Sequence, residues 1–290
     1  MQVFLTGATG YIGSAVAEAL SNAGYAVVGL ARSDDQARTL AAKGLGAHRG
    51  DLRDPASLAA GARNADAVIH TALAAAADTG QVDRAAVEAI VRALSQFNRP
   101  FIYTSGCWVV GDTGDKVADE DTPLAPTPLV AWRPANEQLV LAAHHGVQGI
   151  VLRPAMVYGR GGGLVQSFVQ SAREHGAARV IGNGENRWTF VHLDDLAALY
   201  VLALRAAAGT LLFAAHGAAI RVRDVAEAAS RAAGGDGKVE TVPIEEARKT
   251  MGPFADALAL DQRISGERAQ RVLGWRPRAP TVLEELASGL

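Results

Sequence analysis

The chain of 290 residues carries one cysteine, Cys107, so no internal disulfide can form, and with no activating neighbour its thiol reads as a small buried group. There is no spaced set of His, Cys and carboxylate residues, which leaves no metal site in view. Charge of one sign is missing too. The 28 basic and 30 acidic residues are scattered to a formal net charge of -2, without the basic block that a nucleic-acid backbone demands. Long hydrophobic runs are also lacking, so no membrane span is indicated. Met1 to Leu5 enter a glycine turn directly, without the apolar stretch of a secretory signal. With 49% apolar and 20% charged residues, the composition is that of a globular protein, expected in the cytoplasm with a small molecule as partner.

What is present is alternation. Short β-branched runs at Gln2–Leu5, Ala26–Ala31, Ala67–His70, Phe101–Thr104 and Gly149–Arg153 read as strands, separated by alanine-rich stretches. The apolar spacing of Ile12–Asn22 and Val82–Phe97 marks helices packed on one face. This predicts an α/β fold, a doubly wound parallel sheet over residues 1–155, with part of 188–215 returning to it. Residues 156–290 are expected to form a smaller, interleaved substrate lobe, with helices at Leu164–His175, Asp194–Ala207 and Val222–Ala233 and a strand at Trp188–His192. Gly111–Pro128, with three prolines, two glycines and five acidic residues, suits an exposed excursion better than a core element.

The most informative segment is Thr6-Gly7-Ala8-Thr9-Gly10-Tyr11-Ile12-Gly13, between the first strand and the first helix. Glycines so spaced allow a tight turn (Gly7), close approach of phosphates to the backbone (Gly10) and close packing of helix on strand (Gly13). A pyrophosphate fits the positive end of the helix dipole there, so the segment predicts a dinucleotide cofactor. The second strand ends in Ala31-Arg32-Ser33. No acid stands at Ala31 to accept ribose hydroxyls, whereas Arg32 can pair with a phosphate and Ser33 can hydrogen-bond it, which favours NADP(H) over NAD. Asp34 and Asp35 remain within reach of a ribose.

These motifs, taken in chain order, resemble the short-chain dehydrogenase/reductase superfamily in its extended, epimerase/dehydratase-like form, and Rossmann architecture follows from that resemblance. The TGxxGxxG turn is Thr6 to Gly13. Gly50-Asp51-Leu52 is similar to the family's adenine contact, and Val68 to Ala72 to its fourth-strand signature. Leu152 to Gly159 and Arg187 to Ala197 are similar to segments near nicotinamide and substrate. The resemblance implies cofactor contacts at Gly7, Thr9, Gly10, Tyr11, Ile12, Gly13, Arg32, Ser33, Asp51, Leu52, Thr71, Ala72, Thr104, Arg133, Pro154 and Val157. Read singly, several of these have plainer accounts: Asp51 and Asp194 as helix N-caps, His70 as a core histidine, Tyr158 as aromatic packing.

The family's catalytic hydroxyl and its Tyr-x-x-x-Lys pair are not found where they belong. The hydroxyl position falls on Gly106, beside Thr104 and Ser105; the Lys position falls on Arg133 and the Tyr position on Leu129, and no tyrosine occurs between Tyr103 and Tyr158. A leucine cannot transfer a proton. Pro134 further predicts that this helix begins near Arg133. The candidate catalytic residues are then Ser105, Arg133 and Tyr158, with Trp108, Trp132, Trp188 and His192 as candidate substrate contacts. Three readings follow: an atypical NADP(H)-dependent oxidoreductase for a small, largely apolar carbonyl or imine compound; a nucleotide-sugar-type epimerase or dehydratase; and a catalytically inactive cofactor-binding sensor or interaction protein. The apolar stripes of Val82–Phe97 and Asn136–His144 suit either a homodimer face or the sheet they cover.

Overall fold

A computed structural model of the chain describes residues 1–74, 77–95, 97–143 and 146–288. The first half runs β1 (Gln2–Thr6), α1 (Tyr11–Asn22), β2 (Ala26–Ala31), α2 (Asp34–Ala42), β3 (Gly46–Arg49), α3 (Pro55–Arg63), β4 (Ala67–His70), α4 (Thr79–Leu94) and β5 (Arg99–Thr104). Next come β6 (Val117–Ala118), α5 (Arg133–Leu141), β7 (Val147–Pro154), β8 (Met156–Gly159), α6 (Gly163–His175), β9 (Ala178–Ile181), β10 (Arg187–His192) and α7 (Leu193–Ala203). The chain closes with β11 (Thr210–Ala214), β12 (His216–Arg221), α8 (Val222–Ala232), β13 (Val239–Val242), α9 (Ile244–Met251), α10 (Pro253–Leu258), β14 (Arg263–Ile264), α11 (Glu267–Leu273) and α12 (Val282–Ser288).

The chain divides into two compact units of nearly equal length, an N-terminal unit of residues 1–105, 132–153 and 196–212 and a C-terminal unit of 106–131, 154–195 and 213–290. Residues 106–131 thus cluster with the C-terminal unit, apart from the run 1–155 read as one domain. In the N-terminal unit the sheet order is β11-β7-β5-β4-β1-β2-β3, and every pairing from β3 to β7 is parallel. The order reverses between β1 and β4. There the connections leave in opposite directions, so a crevice opens beyond the carboxyl ends of these strands, which is where such sheets bind ligands. All four residues of β4 are buried, as a strand covered on both faces requires. Phe4, Leu58, Val87, Ile90, Phe101 and Val151 fill the core between sheet and helices.

In the C-terminal unit β12-β10-β8 form one small sheet, and β13-β9 and β14-β6 two parallel pairs. Gly111–Pro128 is more embedded than its turn-rich composition suggests: Ala118, Glu120 and Thr127 are buried. Glu120 Oε1 accepts from Phe213 N at 2.8 Å and Oε2 lies 3.2 Å from Arg268 Nε, so the acidic run serves as an anchor as well as a solvated face. The helix expected at Asp194–Ala207 stops at Ala203, because a turn and β11 must follow to extend the sheet. Of the two stripes considered for a homodimer, α4 buries Ala86, Val87 and Ile90, and Asn136 and Val140 of α5 are buried as well; Gln96 and His144 lie outside the described residues.

Candidate cofactor and catalytic site

β1 delivers Thr6 to the crevice, and Gly7 turns the chain with φ of +76°. A Cβ on Gly7 would stand 2.8 Å from both Ala72 N and Thr71 Oγ1. At Gly13 it would collide with the Gly7 carbonyl. Both positions therefore need glycine, one for the turn and one so that α1 can press against it. A Cβ on Gly10 would meet Gly7 O at 3.2 Å and otherwise open space, the room through which a ligand reaches the backbone. The first turn of α1 contains no acidic side chain of its own to offset the positive end of its dipole.

A cavity of about 570 Å³ opens at this turn. Gly7 and Thr9 to Gly13 line it, joined by Arg32 after β2, Asp51 and Leu52 after β3, and Thr71 and Ala72 after β4. The structure thus brings together most of the residues assigned to the dinucleotide. It adds Leu30, Gln36, Arg53, Leu73 and Ala74, which the sequence reading missed. Arg53 carried a signal in its place two residues after Asp51. Its two Nη atoms grip both carboxylate oxygens of Asp78 at 2.6 and 2.7 Å, which raises the guanidinium and lowers the carboxyl relative to their ordinary values.

Ser33 caps α2, its Oγ accepting from Gln36 N at 3.2 Å, while Gln36 Oε1 accepts from Arg32 N at 2.8 Å. Asp34 faces Arg49 and Asp35 pairs with Arg38. The Arg32 guanidinium has no carboxylate partner among the described residues. Asp51, considered above as an N-cap, does not cap α3: its Oδ1 accepts from Arg53 N, and Asp54 caps the helix by accepting from Ala56 N and Ser57 N. The extra residues between Asp51 and Pro55 put the cap one turn further on.

Below the crevice lies a buried polar network. Thr6 Oγ1 is 2.8 Å from His70 Nδ1, and His70 Nε2 is 3.0 Å from Asp83 Oδ1. Tyr103 OH and Asn136 Nδ2 donate to Asp83 Oδ2 at 2.7 and 2.8 Å. Burial pushes the Asp83 carboxyl up, but His70, Tyr103 and Asn136 together outweigh it and hold the group below the usual carboxylate range. Burial and the Asp83 charge drive the Tyr103 phenol well above its ordinary value.

At the end of β5 the side chains on offer are Thr104, Ser105 and Arg133. α5 begins at Arg133 with Trp132 as its N-cap residue and Pro134 in the first turn, while Leu129 sits in a separate single turn, Pro128–Val130. The helix start is therefore where Pro134 placed it. α5 is tied to β7 by the buried pair of Glu137 and Arg153, 2.9 and 2.5 Å. Arg133 Nη1 donates to Thr104 O at 2.8 Å, its guanidinium carbon lies 4.8 Å over the Trp132 ring, and its Nε is buried without a partner. Ser105 is 6% exposed, and its Oγ likewise has none. Thr104 Oγ1 lies 2.6 Å from Tyr200 OH, a phenol that burial holds far above its ordinary value.

The remaining candidates divide between the units. Trp132 packs on α4, where a Cβ on Gly80 would come within 2.8 Å of its ring. In the C-terminal unit Trp108 meets Phe254 edge-on at 5.9 Å, and Trp188 stacks on Phe168 at 6.1 Å. Tyr158 OH donates to Pro280 O at 2.5 Å, and burial, aided by Glu285, keeps its phenol protonated. His192 Nδ1 accepts from Asp194 N at 3.1 Å and Nε2 lies 3.1 Å from Glu285 Oε2. Asp194 also pairs with Arg160 at 2.7 Å. Pro154 ends β7, and Val157 pairs with Val191 across β8 and β10. Among the described residues no cluster of His, Cys and acidic side chains is able to hold a metal, and no helix is long and apolar enough to cross a membrane.

The family model described as the NAD dependent epimerase/dehydratase family matches residues 3–211, covering the glycine turn, the switch point and the end of β5. The chain belongs to that family. An uncharacterized protein of Schizosaccharomyces pombe is 35% identical over 99% of both chains. The 2-alkyl-3-oxoalkanoate reductase of Stenotrophomonas maltophilia is 27% identical over 92% of this chain and 86% of its own. Among solved structures, the UDP-glucose 4-epimerase of Thermotoga maritima superposes with a TM-score of 0.84 at 19% identity, over 99% of this chain and 96% of that one, a likeness of fold. Family membership and the glycine cradle agree on a nicotinamide dinucleotide as cofactor, and the family together with its reductase-named relatives supports an oxidoreductase-type enzyme.

Proposed function

We propose that the protein is an NADP(H)-dependent oxidoreductase acting on a small, largely apolar carbonyl or imine compound, with Ser105 and Arg133 in place of the usual hydroxyl and Tyr-x-x-x-Lys pair. The observation that carries this is the presence at the end of β5 of two buried donor atoms, Ser105 Oγ and Arg133 Nε, with no protein partner. A buried donor without a partner is costly, so its persistence fits a group held for a ligand. When bound, the nicotinamide supplies or accepts the hydride.

Arg133 stays charged, so it polarises the substrate's oxygen or nitrogen and stabilises the negative charge that develops there. Its anchorage to Thr104 O and over Trp132 fixes the guanidinium before substrate arrives. Ser105 adds a second hydrogen bond, and a water molecule carries the proton. Tyr158 is left out of this reading because its hydroxyl is engaged by Pro280. The NADP preference rests on Arg32: neither neighbouring carboxylate is paired with it, and it lines the cavity.

One experiment tests both parts. NADPH and NADH are titrated by fluorescence against wild type and Arg32→Ala, and turnover is assayed on aromatic ketones, aldehydes and imines with Ser105→Ala and Arg133→Ala. Arg32→Ala weakens NADPH about tenfold or more and leaves NADH unchanged, as loss of a charge-assisted contact requires. Arg133→Ala lowers kcat about a hundredfold, the scale of one lost charge-stabilising donor. NADH binding wild type as tightly as NADPH would overturn the cofactor assignment, and tight binding without turnover on any substrate would turn the reading to the sensor.

A further inference from the structure

Arg32 and Ser33 stand in the sequence as the candidates for the extra phosphate of NADP(H), and the folded chain separates them. Arg32 lines the cavity at the glycine turn, whereas Ser33 does not; Gln36, from the first turn of α2, lines it instead. Ser33 is taken up by its own helix, where its Oγ accepts from Gln36 N at 3.2 Å. In the usual capping box the side chain at Gln36's position, three residues into the helix, reaches back to the N–H of the N-cap residue. Gln36 reaches one residue further. Its Oε1 accepts from Arg32 N at 2.8 Å.

That shift of one residue has two consequences. It ties down the backbone of Arg32, whose guanidinium has no carboxylate partner among the described residues; Asp34 faces Arg49 and Asp35 pairs with Arg38. It also decides which way the Gln36 amide is turned. A backbone N–H can be met only by the amide oxygen, so Nε2, which has no partner among the described residues, is the free end of a side chain that lines the cavity. We infer that Gln36 is a specificity-determining residue for the cofactor: Nε2 donates to the 2′-phosphate of NADP(H) beside the Arg32 guanidinium, while Oε1 holds the backbone of that arginine in place. The inference rests on the NADP(H) reading above and gives it a second donor. A hydrogen bond to a charged phosphate is about twice as strong as one between neutral groups, so the amide favours NADP(H) over NAD, whose ribose hydroxyl is neutral. A carboxylate at the same place would reverse the preference, repelling the phosphate and accepting from the ribose hydroxyls.

The test is equilibrium binding without substrate, so it is independent of turnover. NADPH, NADH, adenosine 2′,5′-bisphosphate and adenosine 5′-monophosphate are titrated by calorimetry against wild type, Gln36→Glu and Gln36→Met. Gln36 is half-buried on α2, and both variants keep the wild-type circular dichroism. Gln36→Glu retains an oxygen for Arg32 N and exchanges only the donor for a charge; it weakens NADPH and the bisphosphate about tenfold or more and tightens NADH, as loss of a charge-assisted bond and gain of a ribose acceptor require. Gln36→Met keeps the length and helix propensity and removes donor and acceptor together; it weakens NADPH and the bisphosphate about fivefold or more and leaves NADH and the monophosphate unchanged. In an Arg32→Ala background Gln36→Met still weakens NADPH about threefold or more, which separates a donor in its own right from a residue that acts only by holding Arg32. An unchanged preference between NADPH and NADH in Gln36→Glu, or no effect of Gln36→Met once Arg32 is alanine, would overturn the proposal and leave the NADP(H) reading standing. Wild type that binds NADH as tightly as NADPH, or the bisphosphate no more tightly than the monophosphate, would overturn that reading and the proposal with it.

Discussion

Asp83 is a carboxylate placed almost out of reach of water and surrounded by three donors. Its folded-state value lies below the ordinary one, so the stability it contributes is present above the ordinary aspartate range and is lost as pH falls through the folded value. Asp83→Asn removes the charge but leaves His70, Tyr103 and Asn136 in place. Stability at neutral pH should drop by about 3 kcal/mol, the scale for breaking a buried charged network. The difference between variant and wild type should shrink below pH of about 4, where the ordinary carboxyl also takes up its proton. Urea unfolding at a series of pH values measures both. A constant difference down to low pH would mean that the carboxylate charge contributes nothing.

Between β1 and α1 the glycine turn acts as one element, because its parts touch: Gly10 N donates to Gly7 O at 2.8 Å, and Gly13 lies against that same carbonyl. Gly13→Ala must push α1 away from the turn or tilt it. Either movement displaces the backbone N–H groups from the phosphates. Dinucleotide binding should weaken at least about a hundredfold, with a stability loss of about 1–3 kcal/mol from overpacking. Fluorescence titration alongside thermal unfolding checks this, and near-wild-type NADPH binding would show that the cradle is not where the pyrophosphate lies. The start of α5 follows the same logic. Pro134 fixes the first turn, the Glu137–Arg153 pair fixes the helix on β7, and Arg133 is thereby held at the end of β5.

Across the whole molecule, three of the five tyrosines, Tyr103, Tyr158 and Tyr200, have phenols raised above their ordinary value, mainly by burial. A raised folded-state value means that the folded chain retains protons the unfolded chain releases. Stability from these groups is complete below a pH of about 10, the ordinary phenol value, and declines above it. Absorbance at 295 nm during an alkaline titration should therefore show these phenols ionising together with unfolding. The same shifts leave none of them a tyrosinate near neutrality, in keeping with the proposed roles of Arg133 and Ser105. Gradual ionisation of all five tyrosines with tertiary structure intact would contradict this.

The sequence by itself determined the local features: the glycine turn, the alternation that builds the parallel sheet, the arginine after β2 and the proline that starts α5. Each is a matter of near neighbours along the chain, where the spacing of glycine, proline and apolar residues dictates conformation directly. The reading that puts Leu129 and Arg133 at the family's Tyr and Lys positions is likewise a matter of counting along one short segment. Only the tertiary structure decided which polar groups have partners. Ser105 and Arg133 keep buried atoms without one, Tyr158 loses its hydroxyl to Pro280, and Asp83 of α4 meets His70, Tyr103 and Asn136 from three other elements. Contacts between residues far apart in sequence depend on how elements pack, and no spacing along the chain encodes them. For that reason the glycine turn and the candidates Ser105 and Arg133 could be read from the sequence, while the lack of partners for their buried atoms emerged only from the folded chain.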